Sequence, residues 1–215
     1  RRVDELFSTY RSDSQINLID VGRLSLVDAD PLVREVLNLA EQAEVLTDGL
    51  FCVRLPWSDG SPHLDPSGIV KGWAAERAFG IVERLEQHDV CLNAGGDVVV
   101  GTAGGGAPWR VGIEQPGGNG VLAVLERADG AVATSGTSAR GRHLVDPRSG
   151  SRADPLASMT VVGPSLMWAD VLATAAFVHG GDAVRWVQRF PGYQGVSLDH
   201  AGRLAASDGF ALSVA

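Results

Sequence analysis

The spacing of apolar residues changes twice along this chain of 215 residues. Val3, Leu6, Phe7 and Tyr10 recur at helical spacing until Ser12-Asp13-Ser14 ends the pattern. A second helix is predicted from Asp30-Pro31, where a capping carboxylate precedes a proline whose missing N–H costs nothing at that position. Leu32, Val33, Val36, Leu37, Ala40 and Ala43 form its apolar face, and Thr47-Asp48-Gly49 reads as its end. The proline-rich stretch 54–67 reads as loop. A third helix is predicted over about 68–87, with Ile69, Val70, Trp73, Ala74, Ile81, Val82 and Leu85 as its buried stripe.

Beyond that point the period falls to two. Short strands are predicted near 89–92, 97–101, 109–115, 121–127, 131–134 and 159–162, most of them separated by glycine-rich turns. Helices follow over about 165–179 and 182–189, with Gly180 ending the first and Pro191 following the second. A hairpin of 194–198 and 203–206 closes the chain around a turn at 199–202. Helices, then strands, then helices imply an α+β fold rather than repeated βαβ units. No internal repeat divides it, so 1–215 reads as a single domain with room for two lobes.

Composition narrows the function classes. A hydrophobic content of 45% supports a real core. The net charge of −8 gives no electrostatic footprint for nucleic acid. No apolar run approaches the roughly 18 residues that suggest a membrane span. Cys52 and Cys91 lack the CxxC spacing of a zinc site and read as buried or half-buried thiols, with a disulfide as the alternative. No export signal is visible, so the expected location is cytoplasmic, or exported or lipid-anchored if a native N-terminus carries a signal.

Four segments carry candidate chemistry. In DPSGIVKGW (65–73), Asp65, Ser67 and Gly68 precede a helix whose N-terminal N–H groups favour an anion, and Lys71 lies one turn in. The plain alternative is an N-cap followed by a solvated lysine. In NAGGD (93–97), glycines after a strand permit close backbone approach, or simply a tight turn. In ATSGTSARGRHLVDPRSG (133–150), hydroxyls and backbone N–H groups lead to His143, a candidate base near neutral pH, and to Asp146, which either orients it or caps a turn. Asp170 and Thr174 are four apart, so they share a face of an otherwise apolar helix. Burying a carboxylate and a hydroxyl there costs free energy unless something satisfies them. A hard cation such as magnesium would do so, and a solvent-facing polar pair is the alternative.

In this order the segments resemble the ApbE family, FAD:protein FMN transferases. The residues that carry the resemblance are 65–74 (DPSGIVKGWA), 93–97 (NAGGD), 134–150 (TSG…HLVDPRSG) and 160–174 (TVVGPSLMWADVLAT), with weaker matches at 8–11 (STYR) and 47–49 (TDG). The resemblance implies a fold of mixed and antiparallel sheets with flanking helices, T-fold-like, holding a flavin between two lobes. It implies magnesium-dependent transfer of FMN from FAD to a threonine or serine hydroxyl of an acceptor protein, with release of AMP. Hydrolysis of FAD to FMN and AMP, or FAD binding without turnover, are the alternatives. By motif position, magnesium would be held by Gly68, Asp170, Ala173 and Thr174, and FAD by Tyr10, Leu50, Phe51, Cys52, Asp65, Lys71 and Val145. His143, Lys71 and Asp170 would carry the catalysis. Several features depart from the family pattern. Relatives begin upstream with a strand and an M-G-T segment that this sequence lacks. Cys52 stands where aspartate is usual, and the loop from Gly136 to His143 is short.

Overall fold

A computed structural model of the chain describes residues 1–56, 60–83, 88–104, 106–118, 120–137, 144–210 and 213–214. Its helices are α1 (Arg2–Phe7), α2 (Gln15–Asp20), α3 (Pro31–Leu46), α4 (Ser67–Val82), α5 (Leu166–His179) and α6 (Ala183–Val187), with a 3-10 turn at Leu26–Asp28. Its strands are β1 (Arg54–Pro56), β2 (Pro62–Leu64), β3 (Val90–Ala94), β4 (Asp97–Gly101), β5 (Trp109–Glu114), β6 (Val121–Arg127), β7 (Asp129–Gly136), β8 (Ser158–Gly163), β9 (Gln194–Leu198), β10 (Leu204–Ala206) and β11 (Ser213–Val214).

The local signals explain most of these boundaries. The Asp30 carboxylate accepts the Leu32 N–H, Pro31 opens α3, and the helix ends where Asp48 and Gly49 turn to φ 54° and 75°. The hydroxyl of Ser165 accepts the Trp168 N–H and caps α5, and Gly180 at φ 65° ends it.

Six antiparallel strands form the main sheet in the order β10-β9-β8-β7-β4-β3, and β11-β6-β5 form a second sheet. Period-two alternation builds a core on each face of the main sheet. Val99, Ala131, Ala133, Met159 and Val161 pack in one core with the helices, chiefly α4 and α5. Val98, Val100, Val132, Val162 and Val196 pack in the other with Val111, Ile113, Ala123 and Leu125 of the second sheet. The molecule is therefore layered as helices, main sheet and small sheet, and is α+β as the pattern predicts.

Several expectations are corrected. Residues 54–67 are not all loop: β1 and β2 pair antiparallel, with Pro56 opposite Pro62 at one end of the ladder. Proline has no N–H to donate, so it fits an edge or a strand end, and there the loop signal misleads. The first helix stops at Phe7, and Tyr10 lies on the following turn, 98% exposed. The short helices α2 and α6 and the closing strand β11 carry little periodic signal; α2 and β11 escape it, and α6 is shorter than predicted. On α4 the buried stripe is Ile69, Val70, Gly72, Trp73, Ala75 and Phe79, while Ala74 is half-buried and Ile81 and Val82 are exposed. Ile81 lies two residues beyond Phe79, on the opposite side of a helix of 3.6 residues per turn. Leu85 lies outside the described residues. Cys52 is half-buried, but Cys91 is exposed, and both are free thiols.

Candidate active site

One end of the main sheet gathers the chemistry. The antiparallel arrangement brings together the β3–β4 turn, the end of β7 and the start of β8. In that turn Gly95 and Gly96 adopt φ 65° and 99°, and the Asn93 side chain accepts the Gly96 N–H at 2.9 Å. Asp97 follows as the first residue of β4 and is only 2% exposed. One of its carboxylate oxygens accepts the Thr134 N–H from β7 at 3.2 Å. The other forms an ion pair with the Lys71 ammonium, which also stands 3.6 Å from Oδ1 of Asp170.

Lys71 meets Asp170 because α4 and α5 touch at Gly72. A Cβ added there would lie 2.8 Å from the Met167 Cα and 3.3 Å from the Asp170 Cβ. The same crossing is secured by Glu76, whose carboxylate accepts the Ser165 hydroxyl at 2.9 Å and the Met167 N–H at 3.0 Å. One turn beyond Asp170, the Thr174 hydroxyl shares a 3.0 Å hydrogen bond with the hydroxyl of Ser135 on β7. Asp170 and Ser135 are 4% and 7% exposed, and Thr174 is half-buried beside them at the cavity wall.

This donor set suits a hard cation: it is all oxygen, carries one carboxylate, and borders a large open space where water and phosphate could complete an octahedron. Among the described residues there is no group of three histidine, cysteine or acidic side chains that could hold a metal ion.

The space is a cavity of about 780 Å³, in the size range of small-molecule sites. Tyr10, Leu50, Phe51, Cys52, Asp65, Gly68, Lys71, Val145, Asp170 and Thr174, all expected at a flavin and metal site, line it. Ala173 is fully buried and lies off the cavity wall. His143 lies outside the described residues.

Each wall has a local cause. The Asn17 side chain donates to the carbonyls of Thr9 and Arg11 at 3.1 and 2.7 Å, bracing the turn that presents Tyr10. The buried Thr47 hydroxyl accepts the Phe51 N–H at 3.0 Å and fixes the Leu50-Phe51-Cys52 segment. Asp65 accepts the Ser67 N–H at 2.9 Å, and Gly68 leaves room for the Phe51 ring, which a Cβ would approach to 3.3 Å. Val145 bridges to Arg152. Asp146 forms a turn with Arg148, accepting its backbone N–H and two side-chain N–H groups at 2.9 Å. That side-chain hydrogen bond holds its carboxyl below the usual aspartate range. Asp146 thus caps a turn, as one of its two expected roles has it, and His143, the partner in the other, lies outside the described residues.

The opposite wall is absent from the sequence reading. Five consecutive positions of β5, from Arg110 to Glu114, line the cavity, and Glu114 lies at a bulge in the β5–β6 ladder. Arg110 and Glu114 sit on an alternating strand whose pattern looks like any solvated face. The bracing side chains Asn17 and Glu76 likewise act at a distance in sequence that no local motif marks. The Ser135–Thr174 contact joins two segments already singled out, and only the register of β7 reveals it.

Comparison with known proteins bears on this geometry. A model of the ApbE family matches residues 57–196, more than half of the chain. The chain belongs to the ApbE family. An FAD:protein FMN transferase of Vibrio cholerae is 31% identical over 163 residues, covering 69% of this chain and 49% of the relative. One of Haemophilus influenzae is 32% identical over 133 residues, covering 56% of this chain and 38% of that protein. The chain thus spans about half the length, or less, of these curated relatives. The crystal structure of an ApbE protein from Thermotoga maritima superposes with a TM-score of 0.83 at 26% identity, over 97% of this chain and 86% of that one. The antiparallel sheets and flanking helices expected from the motifs are therefore those of the ApbE fold.

Proposed function

We propose that the chain transfers FMN from FAD to a threonine or serine hydroxyl of an acceptor protein, with magnesium bound and AMP released. The observation that carries this reading is the meeting of Lys71, Asp170, Thr174 and Ser135 at the wall of a cavity large enough for a dinucleotide's reacting half. Asp170 and Thr174, with the carbonyl of Gly68, are the groups that would hold magnesium. When bound, the ion draws charge off the pyrophosphate and fixes its orientation.

The remaining work belongs to the chain. The Lys71 ammonium offsets negative charge that builds as the pyrophosphate breaks. Phe51, Leu50 and Val145 offer apolar contact to the flavin half, and Tyr10 offers a ring at the rim. His143 is assigned the proton of the acceptor hydroxyl. The acceptor oxygen then bonds to the phosphorus on the FMN side, the bond from that phosphorus to the bridging oxygen breaks, and AMP leaves with the bridging oxygen. Most of the acceleration comes from positioning and fixed charge.

The test is direct. The protein is incubated with FAD, magnesium chloride and an acceptor protein that carries a flavinylation threonine. The expected result is AMP together with a fluorescent, covalently labelled acceptor band. AMP and free FMN without a labelled band would assign the hydrolase instead. No AMP at all would refute both.

A further inference from the structure

Lys71 faces two buried carboxylates, and they do not share it equally. Its ammonium is paired directly with Asp97, while Oδ1 of Asp170 stands 3.6 Å away. Asp97 is itself fixed, being 2% exposed and held through the Thr134 N–H at 3.2 Å. The lysine side chain is the more exposed member of the group, 32% exposed and carried on a long stem of rotatable bonds. As placed, the ammonium pairs closely with Asp97 and only loosely with Asp170.

From this we propose that Asp97 is a positioning residue that tethers Lys71 and keeps its ammonium off Asp170. Without the tether, the other carboxylate that Lys71 faces among the described residues is Asp170, the residue that would bind magnesium. Ammonium and metal would then compete for one ligand, and the lysine would leave the position where it can neutralise the pyrophosphate. The proposal rests on the reading of Asp170 as a magnesium ligand.

The tether predicts a coupling between two substitutions that simple loss of charge does not. Asp97→Asn is isosteric and can still accept the Thr134 N–H, so it removes the ion pair and little else. Removing a negative charge lowers cation affinity at a distance, and Lys71→Met raises it, in any background. If each acts only through space, the two effects add. If Asp97 tethers Lys71, the gain on Lys71→Met is larger once the tether is gone.

Magnesium chloride alone is titrated calorimetrically into the whole chain as wild type, Asp97→Asn, Lys71→Met and the double variant. The expected result is weaker binding in Asp97→Asn by about tenfold. Lys71→Met should then strengthen binding at least about threefold more in that background than in wild type, a coupling of the size seen between contacting charges. Unchanged thermal midpoints would separate this from a structural defect. Should Asp97→Asn fail to fold, Asp97→Ser, which keeps a small acceptor, completes the same cycle. An additive cycle overturns the tether while leaving the metal site standing. Absence of magnesium binding by the wild type overturns the metal reading and the tether with it.

Discussion

The groups that matter most at the residue scale are those whose environment contradicts their chemistry. Asp170 lies in a helix whose other buried positions are Leu166, Met167, Ala169, Val171 and further apolar residues. Asp170→Ala should remove magnesium-dependent AMP release, with a loss of at least about a hundredfold as expected for removal of a metal ligand. Full turnover in that variant would exclude Asp170 from the metal site. The two cysteines give a second residue-scale prediction. Both line the cavity, and burial pushes both thiols up, in Cys52 against the lowering contact with the Arg54 backbone. Their thiolate fractions at neutral pH are therefore below that of an unperturbed cysteine. Iodoacetamide should label them slowly, accelerate only in more alkaline solution, and be slowed further by FAD if FAD fills the cavity. Labelling that FAD leaves unchanged would place the flavin elsewhere. Asp146 supplies the acid-side counterpart. Arg148 holds its folded pKa down, so its contribution to stability is present above the ordinary aspartate value, near about 3.9, and is lost as pH falls through the depressed folded value. Arg148→Ala should move the Asp146 carboxyl titration, followed by carbon chemical shift, back up toward the ordinary value.

Packing between elements decides where those residues point. The spacing of Asp170 and Thr174 placed both on one helix face, and the motif order marked Lys71, yet nothing in the sequence says that α4 and α5 cross at Gly72. That crossing is a long-range packing event: a glycine in mid-helix is usually a cost of about 1 kcal/mol, and here it is the only residue that lets Met167 approach so closely. Gly72→Ala should therefore destabilise the chain despite improving helix propensity. Overpacking of this kind costs about 1–3 kcal/mol, readable as a lower thermal midpoint, and magnesium affinity should fall with it as Gly68 on α4 and Asp170 on α5 are pushed apart. A variant with raised stability would show that the helices can part at no cost. The same distinction explains what was legible in the sequence. The helix cap at Asp30 and the strand segments of β4 and β7 are local and were readable. The β1–β2 pairing is local in sequence but hidden by its prolines, and the exposure of Ile81 follows from helix phase; only the wall formed by β5 depends on partners far along the chain, which a window of sequence does not contain.

For the molecule as a whole, the cavity is bounded by both cores. The helical core carries Lys71, Asp170 and the Phe51 segment, and the second core carries β5 through Val111 and Ile113. The sequence reading gave the first wall almost residue by residue, because motifs and helix faces mark it. It missed the second, because β5 contributes backbone and alternating side chains without a motif. This division predicts different consequences for equally buried residues. Ile113 is 3% exposed in the second core, and Val36 of α3 is fully buried in the first. Truncating either to alanine removes buried methyl groups and leaves a cavity, at a cost of about 1–5 kcal/mol. Ile113 lines the cavity whereas Val36 does not. Ile113→Ala should therefore weaken FAD binding, measured by flavin fluorescence, beyond what its lower thermal midpoint explains. Val36→Ala should lower the midpoint and leave FAD affinity unchanged at temperatures where the chain is folded. Equal losses of affinity in both variants would mean that the site responds to global stability alone, and that the small sheet is a scaffold rather than a wall of the flavin site.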